Sequence, residues 1–349
     1  MTPELTVAVA TPLSPELIEL IHKREPRLEI LSDQSLLPPE RWPADFAGDP
    51  SFTRTPEQQA RFEEMLDRAD VLYGVPDVST PALVRAVRAN RRLKWVQIMA
   101  AGGGAQVKEA AFTPEELDRV VFTTGAGVHA GPLAEFAIFG ILAGAKQLPR
   151  LQRQQRDHEW TGRWPLGQVS EQTVMVLGLG SIGREVARKA MALGARVVGV
   201  GRHDVDLPGL AARVHPDDMV DIIGDVDAIA VTLPGTAATE KMLSADLLAR
   251  VKPGVTITSV GRGTVIDQDA LIDALGDGRV GFAALDVFAV EPLPDDSPLW
   301  DMHNVLVSPH TAANSVHEER LIALLFADNA RRFLEGEPLR NVVNTHEFY

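Results

Sequence analysis

No cysteine occurs anywhere in the 349 residues. That absence removes three chemistries at once: a disulfide framework, a zinc–thiolate site and a cysteine nucleophile. Positive charge is also scarce. Against 48 Asp and Glu stand 34 Lys and Arg, a formal net charge of -14. An acidic surface repels nucleic acid and anionic lipid, so neither is expected as a partner. A small anionic substrate stays open, because a single local arginine can hold it. No apolar run is long enough to span a bilayer, and Met1 to Ala10 lacks the basic start and long apolar stretch of a secretory signal. The expectation is a cytoplasmic protein with no membrane partner and no metal site. No repeat of solenoid period is visible.

What is present is ordinary globular composition, 45% hydrophobic and 23% charged, at a length that suits two domains. Apolar runs alternate with helical patterns. Strands are expected at Leu5–Ala10, Val71–Val75 and Leu93–Met99, with helices at Ser14–Arg24, Arg61–Arg68 and Pro81–Ala89. Leu36 to Pro56, rich in Pro, Asp and Gly, reads as a surface excursion. A long helix runs from Pro132 past Lys146, and Arg150 to Trp164 reads as an exposed connector. From Thr173 the rhythm is strictly βαβ, with strands at Val174–Leu177, Val197–Val200, Ala228–Leu233, Val255–Val260, Ala283–Val287 and Val305–Val307. A last helix spans Ala313–Leu334. Such alternation implies parallel sheets with helices on both faces.

Gly178-Leu179-Gly180-Ser181-Ile182-Gly183 is a G-x-G-x-x-G that follows an apolar strand and opens a helix ending before Gly194, the context that gives this otherwise weak motif its meaning. Gly178 permits the tight turn, Gly180 the approach of a pyrophosphate, and Gly183 close helix–strand packing. The amides of Ser181 and Ile182 would receive phosphate. The second strand ends Gly199-Val200-Gly201-Arg202-His203. The acid that holds ribose hydroxyls in NAD sites is missing there, and an arginine suited to a 2′-phosphate follows, so NADP is expected in preference to NAD. Asp204 argues the other way, since it can turn in toward a ribose.

Three further groups stand just past strand ends, where open α/β sheets bind ligands. Arg262 lies between two glycines, read as an open backbone that frees its side chain to grip a carboxylate. Glu291 precedes a proline, and His310 lies in Ser308-Pro309-His310-Thr311. A carboxylate beside an imidazole stabilises the imidazolium and fixes its tautomer, and such a histidine protonates a carbonyl oxygen as hydride reaches carbon. Taken singly, each has a plainer reading: a solvated loop arginine, a turn acid, a structural histidine. Three together beside a nucleotide loop do not. A lone tryptophan such as Trp300 is best read as core.

These runs, Val176 to Arg202, Ser259 to Gly263, Leu285 to Pro292 and Ser308 to Thr311, resemble the D-isomer-specific 2-hydroxyacid dehydrogenase family, which includes glyoxylate/hydroxypyruvate reductases. Gly127 to Glu135 also looks like that family's entry into its long interdomain helix. The resemblance covers nearly all of Gly127 to Leu334. It implies an α/β fold of two doubly wound parallel-sheet domains: a Rossmann nucleotide-binding domain, 131–307, inserted in a flavodoxin-like substrate domain, 1–130 and 308–349. It implies Arg262 as the group binding substrate carboxylate and carbonyl, His310 as acid/base and Glu291 as its partner. It places Asp286 near the nicotinamide carboxamide, Leu233, Pro234 and Thr239 along the adenosine and phosphate side, Val260 in the cofactor site, and Ala101, Gly102 and Gly103 in a loop whose amides clamp the substrate carboxylate. Where Gly104 stands, the family usually has Asp or Asn. The implied activity is NAD(P)-dependent reduction of a 2-keto acid such as glyoxylate or hydroxypyruvate to a D-2-hydroxy acid, by a homodimer. Formate dehydrogenases of this fold carry Gln where Glu291 stands. Phosphite dehydrogenases and the dinucleotide-sensing corepressors of the same fold keep all three polar groups and are the alternatives.

Overall fold

Near-continuous apolar runs such as Val174 to Leu177 are what a parallel strand covered on both faces requires, and the computed structural model is built from such strands. It describes residues 4–345. Met1–Pro3 and His346–Tyr349, the two ends of the expected substrate domain, lie outside the described residues. The chain divides into two compact units, residues 1–129 with 314–349, and residues 130–313. The segment carrying His310 therefore belongs to the second unit.

The first unit holds five strands: β1 Leu5–Val9, β2 Leu28–Leu31, β3 Val71–Tyr73, β4 Trp95–Gln97 and β5 Val121–Thr123. They pair in parallel in the order β2-β1-β3-β4-β5. This is the flavodoxin-like order, with its switch point between β1 and β3. The helix Glu318–Leu334 returns to complete this unit's core. Phe326 stacks on Trp95 at 4.9 Å and meets Tyr73 edge-on at 5.0 Å.

The second unit holds β6 Thr173–Leu177, β7 Arg196–Val200, β8 Ala212–Val214, β9 Ala228–Val231, β10 Val255–Ser259, β11 Val280–Leu285 and β12 Val305–Val307. The order is β12-β11-β10-β9-β6-β7-β8, all parallel. Counted from β6 this is the doubly wound nucleotide-binding order extended by one strand, with the switch point between β6 and β9. Both sheets are thus as expected.

Several local expectations need correction. Leu148–Arg156 is helical and takes in the first half of the expected connector Arg150 to Trp164. Pro149 suits a first turn, and Arg and Gln are good helix formers, but no apolar stripe announced the helix. The last helix starts at Glu318 instead of Ala313. The three-residue strand β8 is partly exposed and carries too little alternation to be read. Trp300 is not core. It is 49% exposed, and its indole N–H donates to the Pro294 carbonyl at 3.0 Å. The excursion is real: between Leu36 and Pro56 the chain forms neither helix nor strand.

Candidate functional site

The glycine-rich loop leaves β6 at the switch point. Gly178 has φ +95, which L side chains rarely adopt, and a Cβ on Gly183 would sit 1.8 Å from the Gly178 carbonyl oxygen. The helix Ser181–Ala192 can start so close to the strand only because that Cβ is missing. Around Gly180 the space is open, with no atom within 4 Å of where a Cβ would point. Ser181 is exposed and Ile182 half-buried at the helix start, where free amides favour an anion. Thr232, which the sequence reading passed over, pins the loop by donating to the carbonyls of Leu177 (3.0 Å) and Gly178 (2.9 Å). Leu233 lies against Gly178. The Thr239 hydroxyl is spent inside its own turn, donating to the Pro234 carbonyl at 2.6 Å and accepting the Thr236 amide at 2.9 Å. It therefore shapes the loop that presents Pro234. Val260 is buried in the apolar cluster with Val176 and Leu179.

At the end of β7, Gly201 also has open space where a Cβ would point, and Arg202, His203 and Asp204 are exposed. The neighbouring strand β8 brings a second arginine that no linear pattern signalled. Arg213 donates through Nη1 to the Gly201 carbonyl at 3.1 Å, and its Nη2 lies 2.6 Å from Asp204. Asp204, the acid that spoke for NAD, is engaged by Arg213.

Strands β10, β11 and β12 are neighbours, so their carboxyl ends set Arg262, Glu291 and His310 along one edge. The two glycines around Arg262 are there for close approach, a correction to the open-backbone reading. A Cβ on Gly261 would lie 2.4 Å from the Leu233 carbonyl oxygen, and one on Gly263 would lie 1.9 Å from the Phe288 carbonyl carbon. Arg262 itself is extended and exposed, with Nη1 on the Gly261 carbonyl at 2.8 Å. Glu291 Oε2 lies 2.7 Å from His310 Nδ1, and Oε1 accepts the Phe288 amide at 2.9 Å. Burial pushes the Glu291 carboxyl up. The His310 and Phe288 hydrogen bonds, with the charges of His310 and Arg262, outweigh it and hold the group below the ordinary glutamate value. With Nδ1 engaged, Nε2 is the His310 nitrogen left for a substrate.

His310 has φ 54, an uncommon conformation for a side-chain-bearing residue. The loop is held by Asp286, which is 1% exposed. Its Oδ1 accepts the Ser308 hydroxyl at 2.5 Å and the amides of Thr311 and Ala312 at 2.9 Å each. Its Oδ2 is buried with no hydrogen-bond partner, an acceptor fit for an amide donor from a ligand. In the first unit, Ala101 and Gly102 are exposed in a turn beyond β4, while Gly103 is buried against Ile98 and Gly104 begins a helix. Among the described residues there is no cluster of metal-ligating side chains and no helix long and apolar enough to cross a membrane.

Residues 138–312 match the family model described as D-isomer specific 2-hydroxyacid dehydrogenase, NAD binding domain. D-3-phosphoglycerate dehydrogenase of Mycobacterium bovis is 31% identical over 294 residues, 82% of this chain and 55% of that protein. The chain thus spans little more than half the length of that relative. Glyoxylate/hydroxypyruvate reductase B of Pectobacterium atrosepticum is 34% identical over 219 residues, 61% of this chain and 68% of that protein. Among solved structures, a D-isomer specific 2-hydroxyacid dehydrogenase from Xanthobacter autotrophicus Py2, in complex with NADPH and MES, aligns with TM-score 0.74 and 28% identity over 99% of both chains.

Proposed function

This chain belongs to the D-isomer specific 2-hydroxyacid dehydrogenase family, and from that premise we propose that it reduces a small 2-keto acid, of the glyoxylate or hydroxypyruvate kind, to the D-2-hydroxy acid. The observation that carries the reading is the 2.7 Å contact between Glu291 and His310, on a loop that Asp286 holds in place. When bound, the nicotinamide cofactor supplies the hydride that reaches the carbonyl carbon. His310 Nε2 gives its proton to the carbonyl oxygen, so the alkoxide never has to exist free. Glu291, ionised at neutral pH, balances the imidazolium and fixes its tautomer. Arg262 exchanges its loop carbonyl for the substrate carboxylate, which its planar fork can grip at two oxygens. The family likeness gives the backbone amides of Ala101, Gly102 and Gly103, in the first unit, a carboxylate-binding role.

On the cofactor side, the amides at Ser181 and Ile182 take the pyrophosphate beside the open face of Gly180. The orphaned Oδ2 of Asp286 takes the carboxamide N–H. Leu233, Pro234 and Val260 line the dinucleotide. NADP is the preferred form: Gly201 leaves room, Arg202 supplies the cation, and Asp204 is drawn off by Arg213. A homodimer formed through the second unit completes the reading. Phe139 and Trp160 of that unit are 48% and 101% exposed, and sedimentation tests the assembly.

The deciding experiment is turnover of glyoxylate, hydroxypyruvate, pyruvate and bulkier 2-keto acids with NADPH and with NADH. Tight dinucleotide binding with no turnover of any of them overturns the enzyme reading in favour of a dinucleotide sensor.

A further inference from the structure

The amino ends of β10, β11 and β12 lie a strand's length from Arg262, Glu291 and His310, and the proposed reaction makes no use of them. There the start of β10, the start of β11 and the turn before β12 face the junction between the helices Ala130–Ala145 and Leu148–Arg156. Together they enclose a cavity of about 240 Å³. Every residue that lines it belongs to the second unit. One wall depends on a glycine. A Cβ on Gly144 would lie 2.0 Å from Thr256 Oγ1, so only glycine lets the first of these helices come so close to β10.

The charges in this cavity run against the rest of the molecule. Arg150, Arg153 and His303 line it, and no Asp or Glu does, in a chain whose formal net charge is -14. Arg150 and Arg153 stand three residues apart on one helix, so they project from the same face. Arg150 is half-buried, and its guanidinium lies over the Trp164 ring, 3.9 Å from the centroid. That stack uses the flat face of the guanidinium and leaves the N–H groups on its rim to donate. Arg153 and His303 are exposed and have neither an ion pair nor a side-chain hydrogen bond among the described residues. Two guanidinium charges with no counter-charge repel each other, and a concavity lined by one sign of charge concentrates the opposite sign from solution.

We propose that this cavity binds a phosphate group, free or as a small monoester, at a site separate from the dinucleotide. The donor set selects the ligand. Two guanidinium forks and an imidazole can meet the three terminal oxygens of a tetrahedral dianion, whereas a carboxylate offers only two oxygens in one plane. The volume falls below the roughly 300–1,000 Å³ of sites for drug-sized ligands, so a second dinucleotide does not fit and a phosphate with a short carbon chain does. The position separates the two sites. The glycine-rich loop and the catalytic groups stand at carboxyl ends of the sheet, and β10 alone has five residues, about 17 Å of strand at roughly 3.3 Å per residue. The inference holds whether or not the keto-acid reading does, because no group assigned to that reaction takes part in it.

The test is calorimetric titration of the full chain at constant ionic strength. The chain is first saturated with whichever dinucleotide it binds, so that the cofactor's own phosphates fill the glycine-rich loop. The probes are inorganic phosphate, glycerol 3-phosphate and succinate. One of the two phosphate probes should bind at one site per chain, the tighter of them naming the source, and succinate should bind about tenfold more weakly or worse. Arg153→Gln removes an exposed charge that has no partner in the fold. It should weaken the phosphate probes by about tenfold or more, as expected for a lost charged hydrogen bond, with the dinucleotide Kd unchanged. His303→Gln should weaken them severalfold. Thermal unfolding gives a second readout: the bound probe should raise Tm in the wild type more than in Arg153→Gln, since general salting-out acts on both alike. No binding of either phosphate probe to the saturated chain, equal binding in Arg153→Gln, or succinate bound as tightly as phosphate overturns the proposal.

Discussion

Glu291 and His310, 19 residues apart in sequence, meet at 2.7 Å, with the glutamate's other oxygen fixed by the Phe288 amide. The carboxylate is held below the ordinary glutamate value. A carboxyl with a lowered folded value contributes its stabilisation above its unfolded value, and loses it only as pH falls through the folded one. Glu291 is therefore an anion in the neutral range, and its protonation affects the enzyme on the acidic limb. Reduction needs His310 held with its Nε2 toward the carbonyl oxygen, and the Glu291 carboxylate at Nδ1 does the holding. In Glu291→Gln kcat should fall, and the acidic limb that protonation of Glu291 produces should disappear from a profile of kcat/KM. An acidic limb retained unchanged in the variant would rule out the pair.

Arg262→Lys keeps the charge but removes the planar fork. The expected loss is about 2–4 kcal/mol of transition-state binding, the range for removal of one preorganised donor. It is read as a drop in kcat/KM for the keto acid with the dinucleotide Kd unchanged. Keto-acid kinetics equal to wild type would remove Arg262 from the site.

Cofactor choice turns on Gly201, Arg202 and the Asp204–Arg213 pair. Wild type should have the higher kcat/KM with NADPH. Gly201→Asp with Arg202→Ala should abolish that preference by restoring an acid and removing a cation. Asp204→Asn should leave NADH kinetics intact, because Arg213 already occupies that carboxylate. Weakened NADH binding in Asp204→Asn would mean that the acid does reach the ribose, and an NADH preference in wild type refutes the NADP reading.

Asp286→Ala leaves the Ser308 hydroxyl and two backbone amides without their shared acceptor in a buried setting. A stability loss on the order of 3 kcal/mol is expected, seen as a Tm lower by several degrees. The His310 loop should loosen with it, so kcat should fall further than the dinucleotide Kd rises. A variant with wild-type Tm and kcat would show that the loop is held by something else.

Much of the second unit is legible in sequence for a physical reason. A parallel strand buried on both faces has to be apolar throughout, and a loop that receives phosphate needs glycines at fixed offsets, so Val174 to Gly183 announces both. Arg262, Glu291 and His310 stand out because each follows such a strand. What stays hidden depends on neighbours that only the sheet order supplies. Arg213 reaches Gly201 because β8 lies beside β7. Asp286 gathers Ser308, Thr311 and Ala312 from more than 20 residues away. The close packing of Gly261 and Gly263 against Leu233 and Phe288 is equally invisible in one dimension, which is why the same two glycines suggest an open backbone when read alone. The helix Leu148–Arg156 escaped for the opposite reason: it is polar and has almost no buried face to set a period.

The packing of Phe326 against Trp95 and Tyr73 has a consequence for biosynthesis. Residues 130–313 are contiguous and can collapse as soon as they leave the ribosome, whereas β1 to β5 must wait for the helix at Glu318–Leu334 before their core closes. For the whole interval in which the second unit is being made, Trp95 and Tyr73 lack the ring that covers them. Domains usually fold in the order in which they are synthesised; here the residues of the second unit are complete before those of the first. A nascent chain stalled before residue 318 presents a completed nucleotide-binding unit tethered to an apolar, unfinished partner, the kind of species that chaperones retain.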